Sequence, residues 1–260
     1  MSKNISKRQD TDFVWTKDLS NEPTTLIVYY QGEQGFASLV AGSSLVGNKE
    51  PVCKIFSKLH QVDPMNSIPM PTYPEWKMHE VRNEDGRRYF ILRLSHAYIP
   101  SPEQTKSWLY NYPVIRDIIM ELNDYGLDEL IYITSHIMQD FLYSEQPQIP
   151  ENELLVYDYL EPEDTELQLT NGEVIDDLEL ILPAPSWIVC NIFNNFCLKS
   201  IRGNWLVMCA NNKNTYLNTN EADRLLEYFY DVHGLAHDKK YYNEMMGAIK
   251  HAEHMGDFWR

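Results

Sequence analysis

Two short runs of branched and aromatic side chains, LIVYY at 26–30 and LIYIT at 130–134, constrain the fold of this chain more than any other feature. Neither alternates apolar with polar residues, so each reads as a strand buried on both faces. Each also adjoins a helical pattern. The first run passes through Gln31 and Gly32 into GFASLVAGSSLV at 35–46, where small residues mix with apolar ones at helical spacing. Before the second lies a segment at 102–125 in which Trp108, Ile115, Ile118, Ile119 and Leu122 share one side. Ser101 can cap its start, Pro102 suits its first turn and Gly126 marks its stop. Pro113 is expected to kink this helix or divide it in two. A helix leading directly into a buried strand is half of the crossover that parallel pairing needs.

Weaker signals fill in the frame. Residues 52–56 read as a strand, and Pro64, Pro69, Pro71 and Pro74 mark a loop after it. The runs 76–81 and 87–94 flank Asn83, Glu84, Asp85 and Gly86, and the Asp-Gly pair supplies the positive φ of a tight hairpin. Further strands are expected at 154–160, 167–169 and 205–210, with a turn at 170–172. Helices are expected at 186–198, at 220–232 with Gly234 closing it, and at 238–255. The sum is an α/β fold: a mainly parallel central sheet flanked by helices, with antiparallel hairpin strands extending it. The chain divides into a polar N-terminal segment at 1–20, an α/β domain at 21–236, and a C-terminal helix with an aromatic tail at 237–260.

Charge argues against one class of partner. Lys and Arg number 22 against 38 Asp and Glu, for a formal net charge of −16, whereas affinity for nucleic acid comes from basic side chains that release condensed counterions. No Lys or Arg occurs at 117–198, while acids accumulate through Glu151, Glu153, Asp158, Glu161, Glu163, Asp164, Glu166, Asp176, Asp177 and Glu179. Such a region is either a solvated face or one that steers toward a basic partner. No apolar run approaches the ~18 residues of a membrane-spanning helix, so no membrane partner is expected. Cys53, Cys190, Cys197 and Cys209 form no Cys-x-x-Cys pair, which points to a reducing compartment. The first sixteen residues carry Lys3, Lys7 and Arg8 without the apolar stretch of a secretory signal. A cytoplasmic location is expected, extending to the nucleus in a eukaryote.

Residues that could carry chemistry are scattered. Ser95 with His96, and Ser135 with His136, set a hydroxyl beside an imidazole, but sequence neighbours point apart on a strand and no Gly-x-Ser-x-Gly elbow surrounds either serine. His233 and His237, and His251 and His254, have helical spacings that suit a metal. Gly234 interrupts the first pair, and no carboxylate lies at ligand spacing, so neither metal nor cofactor is expected. Phosphate-loop and dinucleotide fingerprints are missing. One enzymatic alternative stays open: a phosphorylase-like α/β enzyme acting on a small molecule where Glu33, His96, His136 and Asp140 could meet at the carboxyl ends of the strands.

Taken in order, LIVYYQGEQGFASLVAGSSLV, then YFILRLSHAYIPSPEQ, a helix, Gly126, LIYITS, and finally Tyr216 with the amphipathic segment 220–234 resemble the proteasome assembly chaperone 2 family over roughly 26–235. The sequence departs from archaeal members after the central strand, where Thr134, Ser135, His136, Ile137 and Met138 stand in place of glycines. The resemblance implies a protein-binding chaperone or adaptor rather than an enzyme. Its implied partners are proteasome α subunits, together with itself or a related chaperone subunit. It also implies docking by a C-terminal tail of hydrophobic residue, Tyr and any residue, for which this chain has Phe258, Trp259 and Arg260. A chain end with a carboxylate beside two aromatic rings is a compact anchor, the carboxylate suited to a Lys and the rings to an apolar pocket. The alternative is a terminal turn whose rings pack back on the body. Gly35, Phe36, Ala41 and Gly42 are small or apolar enough to pack against another subunit or against the sheet.

Overall fold

The computed structural model describes residues 4–30, 37–57, 75–94, 107–137, 154–158, 167–169, 201–210 and 219–257. Ten strands among them form one sheet. In chain order the elements are β1 (Asn4–Lys7), β2 (Thr11–Trp15), β3 (Thr24–Tyr30), α1 (Ala37–Val46), β4 (Cys53–Ser57), β5 (Glu75–Arg82), β6 (Arg88–Leu94), α2 (Ser107–Asn123), β7 (Leu127–Ile137), β8 (Leu154–Asp158), β9 (Leu167–Leu169), β10 (Arg202–Ala210), α3 (Thr219–His233) and α4 (Lys239–Asp257). Across the sheet the strands run β1-β2-β4-β5-β6-β3-β7-β10-β8-β9.

The two apolar runs lie side by side at the centre. Ile27 of β3 pairs with Ile131 of β7 and, on its other side, with Ile91 of β6, all in parallel. β10 continues the parallel block beyond β7. Antiparallel strands extend it on both sides, β5, β4, β2 and β1 beyond β6, and β8 and β9 beyond β10. The α/β fold with a parallel centre and antiparallel extensions is therefore as the sequence led one to expect. The β5–β6 hairpin turns at Gly86, whose φ of 82° is open to glycine at no steric cost.

Alternation along the strands feeds two separate layers. On one face Ile27, Tyr29, Ile91, Ile131 and Ile133 meet Val40 and Leu45 of α1 and Leu225 and Phe229 of α3. Helix α1 is apolar on nearly all sides because it is buried there, and its fully buried Ser44 donates to the Val40 carbonyl at 2.6 Å, one turn back. Helix α2 covers the opposite face, where Val114, Ile115, Ile118, Ile119 and Leu122 are buried.

Two expectations are adjusted. Residues 1–20 are not merely a polar segment, for β1 and β2 join the sheet. In TDFVW every second side chain, Thr11, Phe13 and Trp15, is buried, and that short alternation is easily overlooked among charged neighbours. Helix α2 runs unbroken from Ser107 to Asn123 through Pro113. The lost hydrogen bond and ring clash of an internal proline cost about 3 kcal/mol, which burial of the five apolar side chains that follow offsets. The helix expected at 186–198, the turn at 170–172 and residues 102–106 lie outside the described residues.

Candidate functional site

The face under α1 changes character along the strands. β6 presents Tyr89, Ile91 and then Arg93 on that side, while β5 presents Val81, His79 and then Lys77, with His79 paired to Ile91 and Val81 to Tyr89. Tyr29 of β3 is the parallel partner of Arg93. Continuing the antiparallel register by one residue sets Lys77 opposite Arg93, so the apolar layer ends in a basic cluster.

A cleft of about 450 Å³ opens there, lined by Tyr29, Lys77, His79 and Arg93 from the sheet, Ser43 from α1 and Tyr241 from α4. The walls are held in place by their own contacts. Asp238 donates its backbone N–H to the Ser44 carbonyl at 2.9 Å, and its Oδ1 accepts the Tyr241 N–H at 3.0 Å, so the same residue ties α4 to α1 and caps it. Gly47, at φ 60°, ends α1 directly against that aspartate.

Electrostatics follow from this burial. Desolvation pushes the Tyr29 phenol up, against the smaller opposing effects of the Ser43 hydroxyl 3.5 Å away and of Arg93, so the group stays a neutral donor or acceptor. Burial likewise holds His79 below the ordinary imidazole value, and the Lys77 charge acts in the same direction. Its neutral ring donates Nδ1–H to the Lys49 carbonyl at 3.0 Å, which leaves Nε2 as an acceptor.

Of the residues singled out in the sequence, Phe258, Trp259, Arg260, Gly35, Phe36, Glu33, Ser95, His96 and Asp140 lie outside the described residues. Ser135 and His136 lie on β7, beside Met208 and Cys209 of β10. Ala41 and Gly42 are buried within the chain, and Gly42 lies against the ring of Tyr29 on the sheet. His233 and His237 do not converge. The first packs among Tyr89, Tyr228 and Phe229, and the second against Tyr242. His251 and His254 fall on α4. Among the described residues no three His, Cys, Asp or Glu side chains are grouped to hold a metal, and no helix is long and apolar enough to cross a membrane. Cys53 is a buried thiol whose pKa burial pushes well above its ordinary value, which makes it a poor nucleophile.

The cleft residues did not stand out in the sequence, although one signal was available. Once the hairpin is placed, Lys77 and His79 share a strand face with the core residue Val81, an unusual position for two basic groups.

No protein-family model and no curated protein matches the chain. Solved structures do resemble it. Pyrococcus furiosus PbaB, an archaeal proteasome activator, is 15% identical with a TM-score of 0.59, over 96% of this chain and 100% of that one. Pyrococcus furiosus PbaA, an archaeal homologue of proteasome-assembly chaperone, is 12% identical with a TM-score of 0.53, over 96% and 93%. A Mycobacterium tuberculosis proteasome-assembly chaperone homologue is 12% identical with a TM-score of 0.50, over 86% and 95%. At these identities the likeness is one of fold, and it is the fold of the family whose sequence pattern the chain resembles.

Proposed function

We propose that this chain acts by docking on other polypeptides, as a chaperone or adaptor for proteasome α subunits, and not by catalysing a reaction. What supports the reading above all is the extent of the likeness to PbaB, which takes in nearly this whole chain and all of that one. A shared fold alone is compatible with many functions, so the ordered sequence resemblance at 26–235 adds separate support. In this reading Phe258, Trp259 and Arg260 form the anchor, their rings entering an apolar pocket and their carboxylate pairing with a Lys. The chain works in a reducing, cytoplasmic compartment and pairs with itself or with a related subunit.

The test is affinity isolation from the native cell, using the full chain and a version ending at Asp257. Recovery of proteasome α subunits with the full chain and their loss with the shorter one supports both partner and anchor. Equal recovery with both would remove the anchor and keep the partner. Absence of α subunits from both samples would overturn the reading.

A further inference from the structure

Two histidines stand in the short connection between the last helices: His233 ends α3, and His237 precedes α4. Each imidazole is covered by rings. His233 is 9% exposed, with the rings of Tyr89, Tyr228 and Phe229 centred 5.9, 5.6 and 5.9 Å away, and among the described residues its Nε2 has no hydrogen-bond partner. His237 is half-buried, its ring 5.8 Å from that of Tyr242. Burial of an imidazole disfavours its charged form far more than its neutral one, and neither ring can be fully hydrated unless the connection moves.

That connection is held more lightly than the helices it joins. Leu235 is the one fully buried side chain at 234–238, whereas α3 buries Ala222, Leu225, Leu226 and Phe229. Its ties are hydrogen bonds at the two ends. The His233 carbonyl accepts from Asn83 Nδ2 at 2.8 Å and from the Tyr89 hydroxyl at 3.3 Å. Gly234 and Leu235 donate their N–H groups to the Tyr230 and Phe229 carbonyls at 2.9 and 3.0 Å, and Asp238 donates its own to the Ser44 carbonyl at 2.9 Å. A segment with so little buried apolar surface opens at a fraction of the free energy of global unfolding.

We propose that this connection is an acid-operated latch: protonation of His233 and His237 parts residues 233–238 from the β5–β6 hairpin and the end of α1, while the sheet and the body of α3 stay folded. Charged groups of both signs surround the two rings. Glu129 of β7 favours a proton on His233, and Arg87 of β6 and Arg202 of β10 oppose it. Asp85 and Asp128 act on the adjoining Tyr89 phenol. At His237 the carboxylates of Asp223 on α3 and of Asp238 favour the proton, and Lys239 opposes it. The negative end of α3 would favour a cation at His233, but Asn83 and Tyr89 already donate there. Burial outweighs each of these influences and holds both imidazoles below their ordinary value. Once the latch opens, the rings return to about 6.5. The open form therefore binds the protons, and opening is favoured as pH falls through that value toward the folded ones.

The test is native-state amide hydrogen exchange on the full chain between about pH 7.5 and about pH 5.5, with urea varied below the unfolding transition. The protection factors of the Gly234 and Leu235 N–H groups should fall below about pH 6.5 by about tenfold per pH unit for one proton, and by up to about a hundredfold for two. They should also depend little on urea, since a local opening exposes little surface. Ile27 and Ile131 in the central strands should stay better protected and respond steeply to urea, as groups that exchange through global unfolding do. Replacing both rings, by His233→Phe with His237→Gln, should flatten the pH dependence at Leu235. The wild-type measurement decides by itself if the double variant does not fold. Leu235 exchanging with the protection and urea dependence of Ile131 at about pH 5.5 would overturn the proposal. A wild-type Leu235 whose protection ignores pH, or a folded double variant that keeps the full fall, would do the same.

Discussion

Gly42 of α1 lies so close to the ring of Tyr29 on β3 that a Cβ at Gly42 would stand 2.5 Å from Cδ1. Two effects of Gly42→Ala oppose each other. Removing glycine from a helix interior gains about 1 kcal/mol, while overfilling a packed core costs about 1–3 kcal/mol. The ring has little room to yield, since Tyr29 is only 4% exposed. The clash should win, lowering stability by up to about 2 kcal/mol and the melting temperature by about 2–4 °C for each kcal/mol. Thermal unfolding of Gly42→Ala checks this, and a raised midpoint would show that the close approach is relaxed in solution.

Arg88, at 1% exposure, gathers the chain where β3 and β7 begin. Its Nε donates to Thr24 Oγ1 at 2.9 Å, Nη1 to Glu22 Oε1 at 3.0 Å, and Nη2 to the carbonyls of Ser20 and Tyr125 at 3.0 and 2.7 Å. Replacement by Met would leave those acceptors without their donor, a loss of about 3–5 kcal/mol. Arg88→Lys keeps the charge without the planar fork and should fall between the two. Denaturant titration of both variants reads the order, and a Lys variant as unstable as the Met one would mean that the charge itself contributes little.

The strand pair β1–β2 supplies donors for a carboxylate on α2. Glu121, 2% exposed, accepts from Ser6 Oγ at 2.8 Å, Arg8 Nε at 2.9 Å and Trp15 Nε1 at 3.2 Å. Glu121→Gln should cost about 1.5–3 kcal/mol, the range for hydrogen bonds to a charged group. A chain lacking residues 1–16 should be less stable still, and prone to associate through the exposed edge of β4. Calorimetry and light scattering distinguish these outcomes, and a stable monomer from the shortened chain would show the strand pair to be dispensable.

These contacts explain which parts of the fold could be read in advance. β3 and β7 were legible because burial on both faces leaves an uninterrupted apolar run, and the β5–β6 hairpin because Asp85-Gly86 is a local turn signal. The place of β1 and β2 was not legible, because it rests on pairs such as Arg8 with Glu121, which stand 113 positions apart. Glu121 and Asp117 look solvated on a helix until those partners are known. The cleft was half legible. Lys77, His79 and Arg93 follow from strand alternation, whereas Ser43 and Tyr241 reach it only through the packing of α1 and α4.

The last expectation concerns acid. His233 is buried among three aromatic rings, and among the described residues its Nε2 has no hydrogen-bond partner. Burial, the largest cause, lowers its folded-state pKa below 6.5; Arg87 and Arg202 act the same way and Glu129 opposes them. Between the two values the unfolded chain binds the extra proton and the folded one does not, so stability rises with pH there. The contribution is complete above the unfolded value of about 6.5 and is lost progressively as pH falls toward the folded value. His79 and His237 are lowered too, so the whole protein's slope is not diagnostic. The difference made by His233→Phe is. That variant keeps the His233 carbonyl, which accepts from Asn83 Nδ2 and the Tyr89 hydroxyl, and removes one titrating group. Its stability should fall less steeply below pH 6.5, by up to about 1.4 kcal/mol per pH unit, the limit for one proton. Parallel pH profiles for wild type and His233→Phe in urea unfolding would mean that the imidazole reaches water in the folded state.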